Sequence, residues 1–343
     1  MIKLLARYLN LMIITIFVLL VLSFFLPFWF PGDLLTNVSG IVPESQEQRM
    51  ALEQAFKLDQ SLFQQFLLYI GNLLDGNWGV SSVSTLNLYD EILLAVPATL
   101  ELVFYALLVA TFIGIPVGFL SGLKHHNPMD FSVVTFSIVG YSFPVFWLAL
   151  IFITVFCLQL EWLPISGRID LLYEVEHVTG FVLIDIMLSD LSNTKEAYAD
   201  AFRHLLLPTV SVSIITIALF IRFTRRSIMD VMEKGYIIAA KSRGFTQWQI
   251  FIKHGFKNAL LPILPILALQ MSTLITNAMV VETIFSWPGI GNWLIQAIYQ
   301  QDYPAIRMGM LIVALFVMTL TITIEFVTRA IDHNKDMTES ATI

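Results

Sequence analysis

An all-α membrane protein with six transmembrane helices is the fold class this sequence predicts, and three observations predict it. Composition is the first. Of 343 residues, 57% are hydrophobic and 13% are charged, with mean hydropathy +0.77, whereas soluble domains carry about 25% charged residues. The second is a set of six apolar runs of about 20 residues, the length a helix needs to cross about 30 Å of hydrocarbon. The third is charge placement: the basic residues collect in the segments that six crossings put on one side, as the positive-inside rule requires.

In chain order, residues 1–8 form a short basic N-terminus with Lys3 and Arg7. The run 9–30 is longer than the apolar core of a signal peptide, and no small-x-small cleavage site follows it. It is read as an uncleaved first span with a cytoplasmic N-terminus, and Pro31, Gly32 and Asp33 end it at the far side. Residues 31–96 are expected to lie in water. Pro43 and Glu44 open one helix there, with Leu52, Ala55 and Phe56 on its apolar side. Phe63, Phe66 and Leu67 mark a second, surface-lying helix. Asn37-Val38-Ser39 has the form of a glycosylation sequon and is read as a chance match.

The second and third spans are placed at 97–122 and 131–158, joined by Lys124, His125, His126, Asn127 and Pro128. Adjacent histidines point to different faces of a helix and make a poor metal pair. Phe143-Pro144 interrupts the third span, a break that neighbouring helices in a membrane can compensate. The one cysteine, Cys157, excludes an internal disulfide and is assigned to packing. A far-side loop at 159–203 is expected to be polar and irregular. The fourth, fifth and sixth spans are placed at 204–222, 259–281 and 305–327, so the membrane domain covers 9–330. An aromatic, proline-bearing outer loop at 283–304 joins the last two, and a polar cytoplasmic tail occupies 331–343.

This topology puts 13 of the 19 basic residues inside, among them Arg222, Arg225, Arg226, Lys234, Lys241, Arg243, Lys253 and Lys257. Acids are skewed the other way. Segments 31–96 and 159–205 hold eight Asp or Glu each, against two and three bases. Such a face would concentrate cations at the mouth of a pathway, or it is simply a solvated surface.

The polar loop at 223–258 is the most informative stretch. Residues 236–243 favour a short helix, with Ala239, Ala240, Lys241 and Arg243 all good helix formers. Gly244 ends it by supplying a turn with positive φ. Thr246 is placed to cap a second helix whose apolar positions are Trp248, Ile250, Phe251 and Ile252, and which runs through Lys253, His254, Lys257 and Asn258 towards Leu261-Pro262. Helix, glycine turn and helix make a rigid elbow suited to being gripped by a partner. Local chemistry alone also admits an ordinary basic loop.

Catalytic motifs are missing. The sequence has no G-x-x-x-x-G-K-[ST] phosphate loop, no H-E-x-x-H and no G-x-S-x-G, so the chain is not read as an enzyme. Three carboxylates fall at membrane depth: Glu101, Glu282 and Glu325. Buried acids are costly and point to a pathway or a partner. Glu101 and Glu282 are expected near the outer interface, relieved by water, and Glu325 is expected to pair with Arg329 one helical turn on.

Six spans, a basic cytoplasmic elbow and no ATPase of its own fit an ABC permease. The elbow resembles the cytoplasmic EAA loop of binding-protein-dependent ABC importers: Ala239 and Ala240 match its two alanines and Gly244 its glycine, while Ile238 stands where the family has an acid. The Leu261-Pro262 step follows Gly244 at the longer spacing of the dipeptide and oligopeptide permease branch. PATLEL at 97–102, FPVFW at 143–147, VETIFSWPGIG at 281–291 and DYP at 302–304 are similar to that branch as well. Within it, WLPISGRIDLLYEV at 162–175 and GFVLID at 180–185 resemble the Sap-type peptide permeases, B subunit.

The resemblance, which runs over nearly the whole chain, implies a type I ABC importer permease of a bacterial inner membrane. Residues 31–96 and 159–203 would then be periplasmic and 223–258 a cytoplasmic coupling loop carrying the coupling helix. It implies a second, homologous permease subunit, two ABC ATPase subunits that bind ATP with Mg, a periplasmic substrate-binding protein and membrane lipid as partners, with no cofactor on this chain and no nucleic acid. Ala239, Ala240, Gly244, Phe245, Trp248 and Phe251 would couple to the ATPase. Glu101, Phe143, Pro144, Glu282 and Trp287 would belong to a pathway or gate. Cargo would be peptide, including cationic antimicrobial peptides. Putrescine export by the same kind of complex is the alternative, and a non-transporting scaffold or sensor for ATPases is the reading from another class.

Overall fold

The computed structural model describes residues 2–189 and 193–331, and among them secondary structure is helical apart from one isolated β-bridge, Val80–Asn87. Of the tail expected at 331–343, Ile331 ends the last helix and residues 332–343 lie outside the described residues. Five helices are long and apolar enough to cross a membrane, six when one bent pair counts as a single span.

The first span is α1 (Ile2–Trp29), which runs antiparallel to the last. Its Tyr8 hydroxyl donates to Glu325 Oε1 at 2.9 Å, and its far-end neighbour Phe30 stacks on Tyr303 with centroids 4.7 Å apart. Glu325 thus has a partner on the first span; the expected Glu325–Arg329 pair falls on a side chain outside the described ones.

Residues 31–96 are more structured and more buried than expected. A short helix, α2 (Leu34–Ser39), precedes α3 (Gln46–Ala55), whose Ser45 cap accepts from Gln48 N at 3.2 Å, and α4 (Leu62–Leu74) follows. The sequon asparagine, Asn37, is 3% exposed, and its amide points at the Pro27, Phe30 and Pro31 carbonyls. Asp302 accepts hydroxyl bonds from Ser81 (2.5 Å) and Ser82 (3.1 Å), fastening this insert to the start of the last span.

The second and fourth spans are much longer than the runs 97–122 and 204–222. They are α5 (Leu88–Leu123) and, after α8 (Val182–Leu188), α9 (Thr194–Met232), with Pro97 and Pro208 inside them. A proline forfeits one helical hydrogen bond, and packing in a bundle can compensate for that loss. Gly114, Gly118 and Gly122 form one stripe of α5 against α9. A Cβ at these positions would come within 2.7 Å of Phe220 Cβ, 2.7 Å of Thr224 Cβ and 2.1 Å of Ile228 Cγ2. Small residues four apart let two membrane helices approach backbone to backbone, where dispersion and close fit replace the hydrophobic effect.

The third span is not straight. α6 (Pro128–Ser142) and α7 (Val145–Phe152), which continues as a π-helical turn through Gln159, meet at 98°. Pro144 has no N–H to continue the ladder, and the residue before a proline is pushed to extended geometry; Phe143 has ψ 134°. At the other end of α6, Arg225 of α9 grips Asp130 with Nε at 2.6 Å and Nη2 at 2.8 Å, and Ser121 of α5 donates to the same carboxylate. His125 and His126 lie edge to face beside it; no group of three or more metal-ligating side chains occurs among the described residues.

The rest is α10 (Gly235–Ser242), α11 (Gln247–Ile250), a π-helical turn Phe251–Gly255, α12 (Phe256–Leu260), a 3-10 turn Leu261–Ile263, α13 (Leu264–Ile284), α14 (Ile290–Tyr299) and α15 (Tyr303–Ile331). The aromatic, proline-bearing loop expected at 283–304 contains a helix, α14, which buries Ile290, Leu294 and Ala297 at helical spacing. The core lies where α5, α7, α9 and α13 meet, around Ala98, Leu102, Ala149, Val212, Leu274, Ala278 and Val281. Cys157 packs in it, its thiol donating to Pro164 O.

Candidate functional site

Two constellations stand out, one at each end of the bundle. The first is the basic elbow. α10 ends in a Schellman motif: Gly244 N donates to Lys241 O at 3.0 Å and Phe245 N to Ala240 O at 3.3 Å. Gly244 sits at φ +81°, the left-handed region that glycine adopts without strain. Two residues later Thr246 and Gln249 form a reciprocal capping box, Gln249 N to Thr246 Oγ1 at 3.3 Å and Thr246 N to Gln249 Oε1 at 3.0 Å.

Ile237, Ala240 and Ile250 are buried against Met232 and hold the two arms together. Phe251 then bolts the elbow to α5, its ring 5.2 Å from Phe119 and 5.3 Å from Trp248. Ser227 Oγ to Ala259 O (2.7 Å) and Asn258 Nδ2 to Tyr236 OH (3.1 Å) tie it to the ends of the neighbouring helices.

Ala239 and Ala240 divide roles: Ala240 is buried in the elbow, and Ala239 is on its surface. Trp248 is 56% exposed, so Phe251 braces the elbow and Trp248 presents most of its indole outward. Ile238, Phe245 and Ile252 are exposed beside it, among Lys241, Arg243 and Lys253; Lys253 Nζ stands 5.1 Å over the Phe245 ring. An exposed apolar patch ringed by cations, on a rigid support, is the composition of a contact surface.

The second constellation is a buried polar cluster at the far end. Glu101 and Glu282 are both fully buried, contrary to the expectation that interfacial water relieves them. Protein groups do so instead. Arg168, from the loop before α8, ion-pairs with Glu101, donates to Gly180 O at 2.7 Å and lies 5.3 Å over the Trp287 ring. Trp287 in turn donates its indole N–H to Ala98 O at 2.9 Å and is fully buried.

Glu282 accepts from Thr99 Oγ1 (2.5 Å) and from the first-turn N–H groups of α14, Gly291 (2.8 Å) and Asn292 (3.2 Å). A carboxylate at a helix N-terminus satisfies orphan donors and meets the positive end of the helix dipole. Thr99 Oγ1 also accepts from Ile290 N at 2.9 Å. A Cβ at Gly289 would lie 2.3 Å from the Glu282 carboxyl, so only glycine admits this approach.

Glu101, Glu282 and Trp287 are thus brought together, whereas Phe143 and Pro144 sit at the α6–α7 bend, where Phe143 stacks on Trp147 at 4.6 Å. Sequence reasoning missed Arg168 and Thr99. Arg168 carried a signal as one of three bases among the eight acids of 159–205; Thr99 carried none beyond its place in the PATLEL run. The cluster fastens α5, α13, α14 and the 163–168 loop into one block, and Gly167 N to Phe285 O (2.9 Å) completes it.

A helical bundle able to cross a membrane six times, locked at one end and carrying a stiff, outward-facing elbow at the other, defines a membrane-embedded subunit built for larger assemblies. Comparison with known sequences gives the family. Residues 114–336 match the binding-protein-dependent transport system inner membrane component family, and the chain belongs to it.

It is 40% identical over 327 residues, 95% of either chain, to a protein of Pseudomonas aeruginosa (strain UCBPP-PA14) named the di/tripeptide transport system permease protein DppB. It is 43% identical over 253 residues, 74% of this chain and 78% of the other, to an Escherichia coli K12 protein named the putrescine export system permease protein SapB. The permease of E. coli K12 named for dipeptide transport, DppB, is 34% identical over 95% of this chain and 96% of its own. These relatives are permease proteins of transport systems. The chain is likewise a multi-pass membrane permease.

Proposed function

We propose that this chain is the membrane-spanning subunit through which an ATP-driven transporter moves peptides across a bacterial inner membrane. The observation that carries the coupling step is the elbow, which holds Ile238, Phe245, Trp248 and Ile252 exposed among cations on a support fixed by Ile237, Ala240 and Ile250. The elbow seats in a cleft on an ATP-hydrolysing subunit on the cytoplasmic side, and two such subunits serve this permease and a second, related one. Closure of the ATPases moves the elbow; Phe251 against Phe119 carries that movement into α5, and the α5–α9 pair moves as a body because its glycine stripe packs without slack. A substrate-binding protein delivers cargo at the opposite face. ATP with Mg stays on the ATPases; this chain contributes position and leverage.

Peptide cargo is supported by the relatives' names and by the acid-rich far face. A 600 Å³ recess there is lined by Asp170, Glu174 and Asp185 together with Arg168, His177 and His204. The same face is compatible with a polyamine, the cargo in one relative's name, and competition between labelled tripeptide and putrescine in proteoliposomes separates the two.

The coupling role is tested by Gly244→Val. A Cβ there meets nothing within 4 Å, so the substitution fits sterically and strains only the backbone. In proteoliposomes the variant complex hydrolyses ATP without transport. Normal flux overturns the role. Failure to co-purify a second permease and ATPases from the membrane overturns transport in favour of a scaffold.

A further inference from the structure

Arg307 is the buried cation the proposed mechanism does not use. It stands in the second turn of α15 and is only 6% exposed. Its Nε has no hydrogen-bond partner, and no ion pair to it occurs among the described residues. The nearest acid in the sequence, Asp302, is committed to Ser81 and Ser82. What faces the guanidinium is the Tyr69 ring of α4, 5.2 Å from Cζ. Burial pushes the Tyr69 phenol above its usual range, so it remains neutral and supplies no counter-charge. Its hydroxyl is already paired with Ser23 at 2.8 Å.

Arg307 lines a cavity of about 50 Å³ between α1, α4 and the 72–79 turn, whose walls include Phe24, Phe28, Val38 and Trp78 and whose polar atoms include Asn72 and Asn77. The volume is that of a small polyatomic group. The surroundings of the cavity are lipid-like: Leu62, Phe63, Leu67 and Leu74 of α4 and Leu22 and Trp29 of α1 are 48–82% exposed. A helix with such a face lies in the plane of the membrane interface, at headgroup depth.

A desolvated guanidinium with no counter-ion, beside small amide donors and at headgroup depth, selects one chemistry. Its fork of N–H donors matches the oxygens of a phosphate, and basic pockets between membrane helices hold lipid headgroups in this way. We propose that the cavity at Arg307 is a binding site for an anionic phosphate group, carried by a membrane phospholipid of the leaflet opposite the elbow or by free phosphate. The phosphate neutralises Arg307 and ties α1 and α4 to α15. This site is independent of the cargo and of the coupling elbow.

The full chain, extracted with the subunits that co-purify, is placed in nanodiscs of equal phosphatidylglycerol and phosphatidylcholine, and retained lipid is counted by native mass spectrometry. The wild type retains phosphatidylglycerol about tenfold more strongly than Arg307→Gln, the change expected from one charge-assisted contact. Val38→Trp fills the cavity from another lining residue, leaves Arg307 in place and also loses the lipid; it decides the matter should Arg307→Gln not accumulate. In discs of phosphatidylcholine alone, inorganic phosphate is added and the melting temperature read. A rise in the wild type and none in either variant, without lipid enrichment, assigns the site to free phosphate. Equal lipid retention by wild type and both variants, together with no effect of phosphate, overturns the proposal.

Discussion

Removing one partner of the Glu101–Arg168 pair is expected to be worse than removing both. Glu101 is fully buried and Arg168 is 7% exposed, so neither charge has bulk water to fall back on. Breaking a buried pair from one side costs about 3–5 kcal/mol, because the other charge is left unpaired. Glu101→Leu lies at the lower end of that range, since Arg168 keeps Gly180 O at 2.7 Å and the Trp287 face. Arg168→Met lies at the upper end, since it abandons both of those contacts and strands a carboxylate. The double variant replaces the pair with apolar volume and should cost only about 2–3 kcal/mol, far below the two single losses together. Equilibrium unfolding of the purified chain in mixed detergent micelles reads all three. If the double variant is as unstable as the single losses combined, the two residues do not act as a pair and the far-end block is held by something else.

Three further perturbations follow from the same contacts. Gly118→Val places a Cβ 2.8 Å from Ile221 O as well as against Thr224, and overpacking of that kind costs about 1–3 kcal/mol or more; size-exclusion chromatography should show loss of folded protein, while Gly71→Ala, with open space around it, behaves as wild type. Thr246→Ala removes a cap worth about 1 kcal/mol and should speed amide exchange in residues 247–255 without moving the global unfolding midpoint. Trp287→Phe leaves the Ala98 carbonyl without its indole donor, a loss of about 1–2 kcal/mol that thermal unfolding detects.

The spans were readable because a bilayer demands a fixed apolar length, and the elbow because Gly244 and Thr246 are specific to the turn and the cap they make. Prolines were the poorest guide. Pro97 read as the start of a span and lies ten residues into α5; Pro144 read as an interruption and bends the chain by 98°. A proline states which N–H is missing and not what the neighbours do about it. The burial of Glu101 and Glu282 was also invisible, because their partners lie 67 and 183 residues away, at Arg168 and Thr99. Helix α14 was legible in retrospect: Ile290, Leu294 and Ala297 recur at three- and four-residue spacing behind a turn-rich run that drew attention away from them. The glycines at 114, 118 and 122 were equally plain as a four-residue repeat.

The clasp between Asp302 and the serines at 81 and 82 constrains how the protein is made. Ser81 and Ser82 leave the ribosome 221 and 220 residues before that aspartate, and Tyr8 leaves it 317 residues before Glu325. Until then the insert has the first helix to hold to, through Ser23 and Tyr69 (2.8 Å) and the Asn37 amide on Pro27 O (3.4 Å), but not the start of α15. That first unit waits for α15 to close against it. The contacts that join the first unit to α15 therefore form late, across 220 to 317 residues of sequence.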